Sequence, residues 1–205
     1  MNRNAFVEQM QFYIPESACA IAYDWIQLNP VLIIITKPRK TKLGDYRPKG
    51  KDGKAIMTVN GNLNEYSFLI TFTHEIAHHI DYLERRTLQN PHGQNWKKVY
   101  SGLLSQLLDG GCFPNDLELE VKNHINNPKA ASCSDPILLS KLNEFDTETV
   151  LRLTDIPEGE LFRMTSNNRV FLKGALKRTR FRCEEKNTGR FYMVHGQCQV
   201  ESIVS

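Results

Sequence analysis

Three residues in one short stretch have types and spacing suited to metal chemistry: His74, Glu75 and His78 in Thr73-His74-Glu75-Ile76-Ala77-His78. On an α-helix, side chains four apart lie on one face, one turn above the other. His74 and His78 would then offer two imidazoles to one ion, with Glu75 beside them as a carboxylate able to take a proton from a metal-bound water. A random chain of this composition would contain roughly 0.01 such His-Glu-x-x-His matches, so the pattern is informative once its surroundings agree. They do agree. Residues 65–86 contain no Pro or Gly, and Tyr66, Leu69, Ile70, Thr73, Ala77, Ile80 and Leu83 recur at three- and four-residue steps. The motif is therefore predicted in the middle of a packed helix.

Two imidazoles are too few for a catalytic zinc, which takes three protein ligands and leaves a fourth position open. The metzincin pattern would place Gly at 81 and His at 84, but Asp81 and Glu84 stand there. Those two read as charges on an exposed helix tail ahead of Arg85-Arg86. His92 is the better third ligand. In Asn90-Pro91-His92-Gly93, Asn90 can cap a following helix, Pro91 suits its first position, and Gly93 lets the backbone approach closely. The expectation is one zinc per chain, held by His74, His78 and His92. His124, among Asn123, Asn126 and Asn127, is not expected to reach it.

The elements that must position these residues follow from periodicity. Ala18, Ile21, Ala22 and Trp25 mark a first helix after Pro15, ending near Asn29-Pro30. Residues 31–36 form a β-branched run, hence a largely buried strand. Residues 37–54 are polar and glycine-containing and read as a long excursion or hairpin, and residues 55–59 as a second strand. After the motif helix, Trp96, Val99, Tyr100, Leu103, Leu104 and Leu107 give another helix a buried stripe, stopped by Asp109-Gly110-Gly111. A helix, a small sheet and the motif helix packed on it make a zincin-like α+β order for residues 1–110. Residues 111–148 read as a mixed helical and loop connector, with a helical fragment at 136–145.

From residue 149 the period changes to two, and short strands at 150–153, 161–164, 169–183 and 190–195 predict a small β-rich module over 149–205. Its charge is distinctive. Residues 161–200 hold nine Lys/Arg against two Asp/Glu, whereas residues 1–160 are net acidic. That asymmetry suggests an anionic partner. Arg178, Arg180 and Arg182 alternate with Thr179, Phe181 and Cys183, which on a strand sets three guanidinium groups on one face. With Lys173 and Lys177 they are expected to contact the phosphates of nucleic acid, through backbone or shape rather than base edges.

At 205 residues and 40% hydrophobic, the chain can build a real core. The first ten residues lack the apolar region of a signal peptide, and the longest apolar run, 31–35, is far too short to span a bilayer. Five scattered cysteines, Cys19, Cys112, Cys133, Cys183 and Cys198, without a Cys-x-x-Cys pair, read as reduced thiols of a cytoplasmic protein.

Four stretches together, Leu43-Gly44-Asp45-Tyr46-Arg47, Ile56-Met57-Thr58-Val59-Asn60, His74-Glu75-Ile76-Ala77-His78 and His92-Gly93-Gln94-Asn95-Trp96, resemble the SprT-like metalloprotease family, which includes Spartan. The resemblance covers roughly residues 15–110. It implies His74, His78 and His92 as zinc ligands, Glu75 as catalytic carboxylate, and a DNA-associated protease that acts on proteins bound or crosslinked to DNA. The zinc ribbon that many relatives carry is not matched here: Cys183, His195 and Cys198 are too few and wrongly spaced. The competing expectation is a non-proteolytic zinc-containing protein that binds nucleic acid. Tyr46, Tyr66 and Tyr100 are equal candidates for stabilising an oxyanion.

Overall fold

The computed structural model describes residues 2–39, 42–50, 53–129, 135–146 and 151–203. It is an α+β chain of two compact units, Met1–Phe145 and Asp146–Ser205.

The first unit opens with a helix that the sequence left unread, α1 (Arg3–Met10). Asn2 caps it by accepting from the Ala5 amide at 2.8 Å, and Phe6 and Met10, one turn apart, are buried. Helix α2 (Glu16–Leu28) buries Ala18, Cys19, Ala22, Trp25 and Ile26, as the periodicity predicts. Three strands follow, β1 (Leu32–Thr36), β2 (Gly44–Arg47) and β3 (Ile56–Asn60), in the spatial order β1-β3-β2. β1 runs parallel to β3, and β2 lies antiparallel to β3 with Tyr46 opposite Met57. The polar excursion thus supplies an edge strand. Arg39 pins it to the sheet, with Nε donating to Asn60 Oδ1 at 2.8 Å and Nη1 to Thr58 Oγ1 at 2.9 Å.

Helix α3 (Glu65–Arg85) is capped by Asn64, whose side chain accepts from the Ser67 amide. Phe68, Leu69, Ile70, Phe72, Ile76 and Ala77 are fully enclosed, so α3 is buried on more than one stripe, as befits a central helix. Helix α4 (Gln94–Asp109) packs beside it through Trp96, Tyr100, Leu103, Leu104 and Leu107. The described residues between 111 and 145 are more than a connector. Helices α5 (Asn115–Asn126) and α6 (Pro136–Asn143) insert Leu117, Val121, Leu138 and Leu142 into the same core. Each such side chain contributes about 1.5–3 kcal/mol on burial, enough to fold a mostly polar stretch onto the unit.

The second unit is antiparallel throughout. Its strands are β4 (Leu161–Met164), β5 (Val170–Leu172), β6 (Leu176–Lys177), β7 (Arg180–Glu185), β8 (Phe191–His195) and β9 (Val200–Ser202). β7 pairs β5 and β6 along one edge and β8 along the other, while β9 returns to β4. Leu153, Ile156, Phe162, Phe171, Cys183, Val194 and Val200 fill its interior. The strand expected at 150–153 is replaced by a 3-10 turn, Leu153–Asp155, and Arg152 makes only an isolated bridge to Gln199. Thr149 and Val150 lie outside the described residues, as does Cys133. Cys19, Cys112, Cys183 and Cys198 are free thiols. No helix among the described residues is long and apolar enough to cross a membrane.

Candidate metal centre

Helix α3 presents His74 and His78 one turn apart, with their Nε2 atoms 3.0 Å from each other. The chain leaves α3 through Arg86 in the left-handed region, φ 55°, and reverses at Asn90, φ 52°. The Gly93 amide closes that reversal on the Asn90 carbonyl at 3.0 Å, and α4 begins at Gln94 with Gly93 at its N-cap. Asn90 and Pro91 therefore do not open the helix as expected. Their turn instead carries His92 back over α3, with its Nε2 3.3 Å from that of His74.

The ligand atoms of His74, His78 and His92 all lie within 4.8 Å of one another, and no fourth His, Cys, Asp or Glu joins the group among the described residues. Two nitrogens each about 2.0–2.1 Å from a tetrahedral zinc stand about 3.3–3.4 Å apart, so this spacing suits one ion. Trp96 is the common backing. Its ring centroid is 4.7 Å from those of His74 and His92 and 5.3 Å from that of His78. Burial, followed by repulsion among the imidazoles, holds the pKa of His74 well below the ordinary value and lowers that of His78 to about 4. Burial also lowers that of His92. All three are thus kept neutral, the form that binds metal.

Asp81 is not on an exposed tail. It is buried, paired with the Arg85 guanidinium and accepting from Asn95 Nδ2 at 2.8 Å. Asn95 also donates to Glu84 Oε2 at 2.7 Å, and Arg85 Nη1 to the Gln89 carbonyl at 3.1 Å. This knot ties the end of α3 to the start of α4 on both sides of the His92 turn. The i,i+4 spacing of Asp81 and Arg85 was its one signal in the sequence.

Glu75 is 6% exposed. A Cβ on Gly44 of β2 would overlap the Glu75 carboxylate, so only glycine lets the edge strand lie this close. Burial, assisted by Asp45, pushes the Glu75 pKa up to about 8.

Beyond Gly44 the same strand places Tyr46 with its ring 8° from parallel to that of His78. Tyr46 Oη is 2.9 Å from His79 Nδ1, and His79 Nε2 is 3.2 Å from the Pro30 carbonyl. The carbonyl can only accept, so His79 carries its proton on Nε2 and Tyr46 donates to Nδ1. His79, which the sequence reading passed over, commits that hydroxyl. Tyr100 is wholly buried and stacks on Trp96, and Tyr66 packs on Phe145. None of the three tyrosines offers an exposed hydroxyl free of a protein partner. His124 is also buried, with Nδ1 2.8 Å from Asp135 Oδ2, outside the metal group.

In the second unit the expected basic row is rearranged. Lys173 is buried, with its ammonium on the carbonyls of Thr154 and Ile156 and over the Phe181 ring, so it cannot meet a phosphate. It satisfies carbonyls of the 3-10 turn and the residue that follows it. Arg178 and Thr179 form the turn between β6 and β7, Arg178 with φ 60°, and do not alternate on a strand. Alternation holds from Arg180 on: Arg180 and Arg182 are exposed, Phe181 is half-buried and Cys183 is enclosed. Lys177 stands opposite Arg180.

Compared with protein-family models, curated proteins and solved structures, the chain matches none.

Proposed function

We propose that this chain is a zinc metallopeptidase of zincin-like architecture, related to the SprT-like family its motifs resemble and associated with DNA. The convergence of three neutral imidazole nitrogens at the spacing of one tetrahedral ion, with a buried glutamate next in sequence, supports this reading most. An all-nitrogen set of three suits zinc and leaves a coordination position for substrate or water, whereas a structural zinc is closed by four protein ligands.

His74, His78 and His92 would hold the ion. When bound, zinc lowers the pKa of water and polarises a carbonyl. The chain's own residues do the remainder. Glu75 takes a proton from the attacking water and hands it to the leaving amine, and a cation held by the neighbouring histidines would favour its ionised, proton-accepting form. Gly44 lets β2 close on that carboxylate, and Trp96 shields the imidazoles from behind. DNA association draws on the charge of the second unit through Lys177, Arg178, Arg180 and Arg182, with Lys173 withdrawn from the set.

The test is cleavage of an unfolded protein substrate, with and without DNA, by the zinc-loaded wild type and by Glu75→Gln. Wild-type cleavage that Glu75→Gln abolishes, at unchanged zinc content, supports the reading. Equal turnover by both, or none by either, overturns it.

A further inference from the structure

Buried polar side-chain atoms almost always find a hydrogen-bonding partner, so one that has none within the chain points to a partner from outside it. Among the described residues three enclosed side-chain atoms have no protein partner: Trp96 Nε1, Tyr100 Oη and His124 Nε2. They are not scattered. Trp96 and Tyr100 lie one turn apart on α4 and stack with centroids 4.8 Å apart. The His124 ring stands nearly perpendicular to Tyr100, at 5.8 Å and 85°. The three rings form one continuous stack inside the first unit, 0%, 0% and 1% exposed.

His124 is fixed from its other side. It sits in the last turn of α5, with Nδ1 2.8 Å from Asp135 Oδ2. Asp135 is fixed in turn, because its Oδ1 accepts from the Leu138 amide at 3.3 Å as the N-cap of α6. An ionised carboxylate only accepts, so Nδ1 carries the proton, and Nε2 of the neutral ring is left as an acceptor. The Trp96 indole can only donate, and the Tyr100 hydroxyl can do either. A donor, an acceptor and a hydroxyl are matched by one small neutral molecule that both gives and takes hydrogen bonds. That is the setting of a buried water, which typically has about three polar partners. A cation would instead meet the indole N–H, and an anion the Nε2 lone pair with the Asp135 carboxylate behind it.

The stack ends on the candidate metal group. Trp96 packs against all three imidazoles, and the Tyr100 ring centroid is 5.6 Å from that of His74. We infer that one enclosed water joins Trp96 and Tyr100 to the Asp135–His124 pair, and that Tyr100 and His124 are thereby positioning residues that hold the wall behind His74, His78 and His92. The water site stands on these rings alone, whereas its positioning role rests on the metal reading above.

The experiment takes the full chain, first metal-free and then titrated with zinc against a chelating dye. A high-resolution crystal structure should show one water within about 2.7–3.2 Å of Tyr100 Oη and His124 Nε2. In solution the Trp96 indole proton should receive magnetisation directly from a long-lived water. Trp25, whose Nε1 donates to Gln106 Oε1 at 2.8 Å, is the internal control. Tyr100→Phe removes the hydroxyl and keeps the stacked ring, so it should leave the circular dichroism spectrum unchanged yet weaken zinc binding about 2- to 30-fold. His124→Leu should weaken it likewise, and the double variant should bind no more weakly than the weaker single one, because both act through one water. A direct bond between Tyr100 and His124, or a dry stack, overturns the water site. Full zinc affinity in Tyr100→Phe, as a purely packing role predicts, or additive losses in the double variant, overturns the positioning role. Wild type that takes up no zinc overturns the metal reading and the positioning role with it, while the crystal structure still decides the water.

Discussion

At the residue scale, the metal group makes a directional statement about pH. His74, His78 and His92 have pKa values lowered by burial, so their charged forms are disfavoured in the folded chain. An unfolded histidine takes up a proton below about 6.5. Without metal, stability is therefore lost as pH falls from about 6.5 through the lowered folded values, toward about 4 for His78. Thermal melts of the metal-free chain should decline over that window, and His78→Gln should flatten the decline. An identical decline in the variant would contradict the assignment. Zinc content separates the roles: His92→Ala should lose most of it, and Glu75→Gln should keep it. If Asp81→Ala instead empties the site while His92→Ala does not, the third ligand is wrong. The sequence carried His74, Glu75 and His78 plainly because helical spacing is local. The packing role of Gly44 and the role of His79 were illegible, since each depends on a partner more than thirty residues away, Glu75 for one and Tyr46 for the other.

Elements were readable where the apolar pattern was dense. The periodic stretch 65–86 agrees with α3 to within a residue, and the stripe from Trp96 to Leu107 falls within α4. α1 and α5 were missed because each shows few buried side chains to the sequence: Phe6 and Met10 in one, Leu117, Val121 and His124 in the other. The period-two reading of the β module survives, except where a turn holds the residues, as at Arg178-Thr179. At that sheet, Arg169, the residue before β5, pairs with Glu185 of β7 in a way that titration can test. Hydrogen bonds from Arg169 and then Thr188 depress the Glu185 pKa to about 2. Its contribution is present above the unfolded carboxylate value of about 4.3 and is lost as pH falls through about 2. Arg169→Leu leaves a buried carboxylate without its cation, so it should destabilise the second unit at pH 7 and about half as much at pH 3. Urea unfolding followed by circular dichroism measures this, and wild-type behaviour of the variant at pH 7 would show the pair to be inert.

For the whole molecule, the division at Phe145 places all three histidines of the candidate metal group in one unit and the row from Lys177 to Arg182 in the other. The change of period at residue 149 came close to that boundary because strand alternation is a local pattern. The membership of α5 and α6 in the first unit was not local, and depended on where Leu117, Val121, Leu138 and Leu142 found burial. A metal bound only in the first unit can stabilise only that unit directly. Both tryptophans, Trp25 and Trp96, lie there, so their fluorescence reports on the first unit alone while calorimetry records both. Free zinc at a thousand times its dissociation constant stabilises a folded unit by about 4 kcal/mol, which for one of this size raises Tm by about 8–16 °C. Chelation should therefore lower the tryptophan-detected transition by that order and leave the second unit's transition in place. If chelator moves both transitions together, the units do not melt separately. If it moves neither, His74, His78 and His92 hold no ion that the fold depends on.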